Sequence, residues 1–242
     1  MLRTYCGMHY SMYVAPVLMP VLFWAGYHYY KDRHLPEPLG HLLLAFTLGI
    51  VAFWLGKLMY VGLGYVDLRY DAYLLADRNP VGLFFYAVLV IGVIEELAKM
   101  VFFLLIILRF KEFDEPIDGI VYASFIALGF ATMENIQYLQ FVSGIEAIAR
   151  GFAGPLVHIL FASIWGFYIG LAHLQGKALL GTALGALAIT ALLHGIYDFV
   201  AIALPVTALP ASALLMLGIW MWRMYLIRDL HSEAQADLSS VD

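Results

Sequence analysis

The chain has 242 residues, of which 63% are hydrophobic and only 13% are charged, and its formal net charge is −5. Soluble domains carry about 25% charged residues, so the composition excludes an ordinary soluble protein and predicts an integral membrane protein. The small negative charge does not indicate a nucleic-acid partner. The single cysteine, Cys6, excludes an intrachain disulfide framework and a cysteine-based metal site.

Apolar runs long enough to cross a bilayer recur along the whole chain. A hydrocarbon core about 30 Å thick requires roughly 20 apolar residues per helix. Seven windows approach this length, at residues 12–29, 40–62, 82–108, 119–142, 155–174, 178–204 and 208–226, with a break near Pro205 between the last two. The sequence therefore predicts an all-α fold: a polytopic transmembrane helical bundle of about seven spans that forms a single domain over residues 1–242.

The basic residues between these windows are distributed unequally, and more of them lie on the side opposite the N-terminus. The positive-inside rule then predicts an outside N-terminus and a cytoplasmic C-terminus. The last residues, 227–242, are expected to form a short cytoplasmic tail. In this arrangement Arg150 is a loop residue on the N-terminal side.

Four predicted spans contain polar residues that a hydrocarbon core should exclude. They are Glu95, Glu96 and Lys99 in the third span, Glu134 and Asn135 in the fourth, His158 in the fifth, and His194 and Asp198 in the sixth. A charge at the bilayer centre costs about 2.5–3.5 kcal/mol on insertion scales. Such groups usually face the bundle interior and pair with one another, so their presence in four spans indicates a functional site.

Helical spacing predicts how these residues group. Lys99 follows Glu95 by four positions and Glu96 by three, so it can reach either carboxylate from one helix face. His194 and Asp198 are also four positions apart. At about 1.5 Å of rise per residue, the polar groups of all four spans fall in the same half of the bilayer. We therefore expect one intramembrane polar cluster, in the extracytoplasmic half if the predicted orientation holds.

The charges of the cluster constrain its chemistry. Four carboxylates face the single ammonium of Lys99, and such a surplus in a low dielectric requires protonation of carboxylates or a bound cation. Two histidines with carboxylates form an acceptable Zn²⁺ donor set. The same residues without a metal could perform general acid–base chemistry on water.

Other functional classes are compatible with these residues. Intramembrane carboxylates and histidines also occur in proton- or cation-coupled transporters, although no internal repeat of the transporter type is visible. Two further alternatives are a haem-binding electron carrier with His158 and His194 as axial ligands and a non-enzymatic, immunity-type membrane protein. The pairing of Glu95 with Lys99 could also be purely structural, and Asn135 could be only an interhelical hydrogen-bond donor.

Several segments in combination resemble a known family. They are "YYKDRHLPEPLGHLLLAFTLG", "VIEELAKMVFF", "FDEPIDGIVYASFIALGFATMENIQY" and "LLHGIYDF", and they span about residues 29–200. The sequence is similar to the PrsW family of intramembrane proteases, related to the CAAX prenyl protease and bacteriocin-immunity (ABI) superfamily. The resemblance implies a bacterial inner-membrane endopeptidase that hydrolyses peptide bonds of membrane-anchored, single-pass proteins in the bilayer. Site-1-type cleavage of an anti-sigma factor is one such reaction.

The resemblance also implies roles for residues of the cluster. The implied catalytic or metal-binding set is Glu95, Glu96, Glu134, His158 and His194, supported by Lys99, Asn135 and Asp198. Within it, Glu95 or Glu96 is the expected general base, and Asp198 is expected to orient His194. His158, His194 and Glu134 are expected either to bind Zn²⁺ or, without a metal, to hold the water and polarise the scissile carbonyl. The CAAX prenyl proteases have histidine in place of Glu134 and asparagine in place of Asp198, and this more acidic site favours a bound cation.

Overall fold

The helical fold predicted from the sequence is confirmed. The computed structural model describes residues 14–31, 36–139, 141–142, 144–204 and 209–239, and these residues form helices without any strand. Four expectations concern residues outside this described part: Cys6, the beginning of the first span, the family-like Asp32–Arg33 pair, and the break at Pro205.

The helices follow the predicted windows closely. A π-helical segment, Val14–Leu18, leads into α1 (Met19–Lys31), and the following helices are α2 (Leu39–Gly64), α3 (Ala72–Arg78), α4 (Pro80–Tyr86), α5 (Val93–Leu105), α6 (Pro116–Tyr138), α7 (Gly144–Leu174), α8 (Leu179–Ala203) and α9 (Leu209–Ser239). Four of them, α2, α6, α7 and α8, are long and apolar enough to cross a membrane. The count of seven spans therefore stays a prediction.

Two boundaries differ from the predicted ones in ways that affect the site. Helix α7 begins at Gly144, well before the predicted start at residue 155, so Arg150 belongs to a helix rather than to a loop. The assignment of Arg150 to a loop was wrong because the spans were predicted from apolar runs, and the helix continues through a more polar segment before residue 155. The segment between the second and third windows contains α3, whose N-cap residue, Asp71, accepts a hydrogen bond on its side chain from the Leu74 N–H.

Helix α6 occupies the centre of the bundle. Every residue from 117 to 132 is buried, and α7 is nearly as enclosed. The two helices approach closely at Gly119 and Gly166, where a β-carbon on either residue would collide with the main-chain carbonyl of the other. Small residues at such crossings let membrane helices pack backbone to backbone, which brings their polar side chains within reach of one another.

Helix α5 is positioned by a second close approach, between the segment that precedes it and α8. Helices α4 and α5 are joined by a π-helical segment, Ala87–Gly92, one turn before Glu95. Gly92 in this segment lies against the Ala191 carbonyl of α8, and Gly195 of α8 lies against Val88. Since a π-helical turn contains an extra residue, it changes the direction in which the following side chains project. The segment thus determines which face of α5 meets α8.

Helix α7 contains a proline whose effect on the main chain is compensated by α6. Pro155 has no N–H, so the carbonyl of Gly151 loses its usual helical donor. The Asn135 side-chain amide of α6 donates a hydrogen bond to this carbonyl at 3.3 Å. Asn135 is buried and lies outside the polar cluster, so its observed contact ties α6 to α7.

We expect Asn135→Ala to lower the free energy of unfolding by about 1–3 kcal/mol, because it leaves a buried carbonyl without a donor. Pro155→Ala restores a main-chain donor, so the double variant should unfold no more easily than Pro155→Ala alone. Thermal and denaturant unfolding of the detergent-solubilised protein measures both effects. Gln175→Ala, in an exposed turn, is the matched control, and simple additivity of the two losses would contradict this pairing.

Candidate active site

The predicted polar residues of four helices meet in the interior of the bundle. Helix α5 contributes Glu95, Glu96 and Lys99, α6 contributes Glu134, α7 contributes His158, and α8 contributes His194 and Asp198. The rings of His158 and His194 lie 5.1 Å apart between their centroids. Of the predicted residues, only Asn135 lies apart from these contacts.

Glu96 is the most completely bonded group of the cluster. Its Oε1 accepts hydrogen bonds from the Lys99 ammonium and from Nδ1 of His194, each at 2.8 Å. Its Oε2 accepts from the indole N–H of Trp165, also at 2.8 Å, and the residue is fully buried. The carboxylate therefore connects α5 to both α7 and α8, and its acceptor capacity is used for structure.

The contact with Glu96 determines the tautomer of His194. An ionised carboxylate can only accept, so the hydrogen between them belongs to Nδ1, and Nε2 of the neutral ring has a free lone pair. The residue that orients His194 is therefore Glu96 rather than the predicted Asp198. Asp198 instead faces Nε2, with 3.8 Å between Oδ2 and that nitrogen.

His158 is held at both ring nitrogens. Its Nδ1 lies 2.8 Å from the Lys99 ammonium, and its Nε2 lies 2.6 Å from Oε2 of Glu134. Since an ammonium group can only donate, Nδ1 accepts, and Nε2 of the neutral ring donates to Glu134. The other oxygen of Glu134 accepts from Arg150 at 3.3 Å, so both Glu134 oxygens are engaged.

Two carboxylates remain without hydrogen bonds among the described residues. Oε2 of Glu95 is buried without a partner and lies 3.7 Å from Nε2 of His194. Asp198 approaches the same nitrogen at 3.8 Å. Both distances exceed that of a hydrogen bond. Oε2 of Glu95, Oδ2 of Asp198 and Nε2 of His194 thus converge without forming hydrogen bonds among the described residues, an arrangement typical of a site for water or a cation.

This space opens into a cavity of about 310 Å³. Glu95, Glu134 and Asp198 line it, and the aromatic rings of Tyr60 and Tyr138 form part of its walls. Phe130, which also lines the cavity, lies 5.4 Å from the His158 ring, and Phe161 lies 5.0 Å from the His194 ring. Water therefore has access to the carboxylates from the cavity, while aromatic rings pack against both histidines.

The donor set fits a metal ion. Glu95, His158 and His194 each present a ligand atom, and these atoms lie within 4.8 Å of one another. Two histidines and one glutamate are a known set for catalytic zinc, in which tetrahedral ligands lie about 3.4 Å apart. The unpartnered oxygen of Glu95 and the lone pair on Nε2 of His194 suit this arrangement. Binding through His158 would require its contact with Lys99 or Glu134 to open. In this group Glu95 rather than Glu134 accompanies the two histidines, and the ligand set with Glu134 stays a prediction.

Two residues of the site were not found from the sequence. Arg150 was assigned to a loop, and its contact with Glu134 lowers the local excess of negative charge. Its guanidinium also lies 3.4 Å from the Tyr138 ring centroid. Trp165 was not singled out from the sequence, although it follows His158 by seven positions. That spacing of two helical turns places both on one face of α7 and could have indicated its role.

Comparison with known proteins bears on this site. Residues 37–225 match the family described as PrsW family intramembrane metalloprotease. The Protease PrsW of Bacillus subtilis (strain 168) is 35% identical over 190 residues, which cover 77% of this chain and 81% of the relative. The Protease PrsW of Geobacillus kaustophilus (strain HTA426) is 34% identical over 180 residues, or 74% of each protein. No solved structure matches the chain.

These similarities cover the four helices that build the cluster, and they favour the peptidase interpretation over a transporter, a haem carrier or an immunity-type protein. The chain belongs to the PrsW family of intramembrane metalloproteases.

Proposed function

We propose that this protein hydrolyses a peptide bond of a single-pass membrane protein at the part of the cavity where Glu95 and Asp198 face His194. The observation that supports the proposal is the difference between the four carboxylates. Glu96 and Glu134 have both oxygens engaged, whereas Glu95 and Asp198 present unpaired oxygens to one space beside the cavity. A reacting group needs free acceptor capacity, so the latter pair is assigned to the chemistry.

Zn²⁺ is the proposed metal, with Glu95, His158 and His194 as its ligands. The chemistry that Zn²⁺ supplies when bound is activation of water and polarisation of a carbonyl group. Asp198 also faces His194 Nε2, at 3.8 Å, but is not one of these three proposed ligands. Asp198 therefore accepts the proton that the attacking water loses and returns a proton to the leaving amine.

The remaining polar residues hold these groups in place. Glu96 fixes the tautomer and direction of His194, while Trp165 and Lys99 fix Glu96. Glu134 holds His158 and is itself held by Arg150. Partners of metal-binding histidines orient the rings and raise their basicity. In this proposal Glu96 and Glu134 are positioning residues rather than catalytic ones.

The substrate class follows from the location of the site. Glu95 lies within the helical bundle of a membrane protein, so the scissile bond must come from a chain that is itself anchored in the bilayer. A single-pass protein, such as an anti-sigma factor, satisfies this requirement. The proposed setting is a bacterial inner membrane, with an outside N-terminus and a cytoplasmic C-terminus. Residues 1–242 are proposed to act as one protease domain.

We expect Asp198→Asn to lower peptide hydrolysis by at least about a hundredfold, as is typical for loss of a general acid–base group, and Glu95→Gln to lower it at least as far because it removes a metal ligand. The purified full chain in nanodiscs is incubated with a peptide library from solubilised membrane proteins, and new termini are identified by mass spectrometry. Glu146→Gln changes an exposed carboxylate of α7 outside the cluster and serves as the matched control. Undiminished cleavage by both site variants would overturn the assignment.

The metal content provides a separate test. Protein purified without chelators should contain about one zinc ion per chain, and both His194→Ala and Glu95→Gln should lose it because each removes a ligand. Asp198→Asn should keep the metal while losing activity, and His173→Ala, at the far end of α7, should keep both. Elemental analysis by mass spectrometry gives the stoichiometry. Metal-free, active wild type would refute the zinc proposal and make Glu95 the proton acceptor.

A further inference from the structure

Lys57 is an intramembrane cation that the proposed reaction does not use. It lies within α2, a helix able to cross the membrane, seven residues before the end of that helix at Gly64. Among the described residues no carboxylate lies within 4.0 Å of its ammonium. An intramembrane charge without an ion-pair partner is costly and indicates a functional role.

The direction of the Lys57 side chain argues against a role at the membrane surface. Lysines near helix ends usually extend their ammonium groups toward the nearer interface. The Lys57 ammonium instead lies 5.1 Å from the ring centroid of Phe53, one turn closer to the middle of α2. The group therefore points away from the nearer helix end, and Lys57 is part of the cavity lining.

The cavity combines charges of both signs. Its lining contains three carboxylates, Glu95, Glu134 and Asp198, and two cations, Lys57 and Arg69, around a space of 310 Å³. Arg69, in the exposed segment after α2, also forms no ion pair among the described residues. A volume above about 300 Å³ is typical of a ligand pocket. A peptide bound in this space at Glu95 therefore shares it with two cations.

We propose that Lys57 and Arg69 bind an acidic side chain, aspartate or glutamate, of the substrate at a fixed distance from the scissile bond. The proposal rests on hydrolysis at Glu95, since it assigns a specificity to that same site. The tyrosine-rich wall adds hydroxyl groups that can donate to a carboxylate, among them those of Tyr60, Tyr70 and Tyr73. The same chemistry would also bind the phosphate of an anionic lipid, and the experiment below separates the two.

The first measurement is the sequence preference among cleaved library peptides. For wild type we expect aspartate or glutamate to exceed asparagine or glutamine about tenfold at one position relative to the cut, as one charge-assisted hydrogen bond provides. Lys57→Gln should bring this ratio close to one, and Lys57→Glu should favour lysine or arginine instead. Arg69→Gln, at an exposed position, should weaken the preference. Arg78→Gln, an exposed cation outside the cavity, should not change it.

The second measurement reads binding without hydrolysis. The library is passed over immobilised Glu95→Gln protein in nanodiscs of phosphatidylcholine, and the bound peptides are compared with those retained by E95Q/K57Q. Acidic peptides should be enriched only by the first. If this enrichment appears while wild type cleaves nothing, the result supports binding of an acidic side chain by Lys57 and Arg69 and contradicts the proposed hydrolysis.

Two results would overturn the proposal. One is cleavage and binding with no preference for acidic residues, or with a preference that Lys57→Gln and Arg69→Gln leave unchanged. The other is loss of the acidic preference when phosphatidylglycerol is added to the nanodiscs, together with Lys57-dependent binding of that lipid. That second outcome would assign the cations to a lipid phosphate.

Discussion

The buried carboxylate of Glu96 is the group on which the rest of the site depends. A charge in a low-dielectric interior is unfavourable unless its oxygens are fully hydrogen-bonded and an opposite charge lies beside it. Lys99, His194 and Trp165 meet both requirements, and they come from α5, α8 and α7. Removal of any one of them would leave a buried charge incompletely compensated. The three helices are therefore held at the separation that this single carboxylate imposes.

The four carboxylates of the site fall into two classes according to whether their oxygens are hydrogen-bonded. Glu96 and Glu134 are saturated and hold histidines, whereas Glu95 and Asp198 have free oxygens directed toward His194. Free acceptors in a site are costly unless water, a metal or a substrate occupies them. The free oxygens of Glu95 and Asp198, which destabilise the protein when nothing occupies the space between them, thus lie where the reaction is proposed to occur.

The cavity contains charges of both signs. Carboxylates alone would repel an acidic peptide, and cations alone would neutralise the reacting groups. Lys57 and Arg69 line the same space as Glu95 and Asp198, and aromatic rings form much of the remaining lining. In the proposed reaction the two cations recognise the substrate and the two carboxylates take part in its hydrolysis.

The sequence by itself determined the all-α membrane fold, because long apolar runs have few other stable conformations in a bilayer. It also identified Glu95, Glu96, Glu134, His158, His194 and Asp198 as site candidates, since ionisable residues in such runs usually have a function.

The individual roles of these residues could not be predicted from the sequence. Glu95 and Glu96 are adjacent, so their side chains project about 100° apart on a helix of 3.6 residues per turn. Which of them meets α7 and α8 depends on helix packing and on the π-helical segment before α5. The early start of α7, which brings Arg150 to Glu134, and the contact of Trp165 with Glu96 are likewise products of helix packing. Only the tertiary structure decided which oxygens are bonded and which are free, because that depends on atoms from helices distant in the sequence.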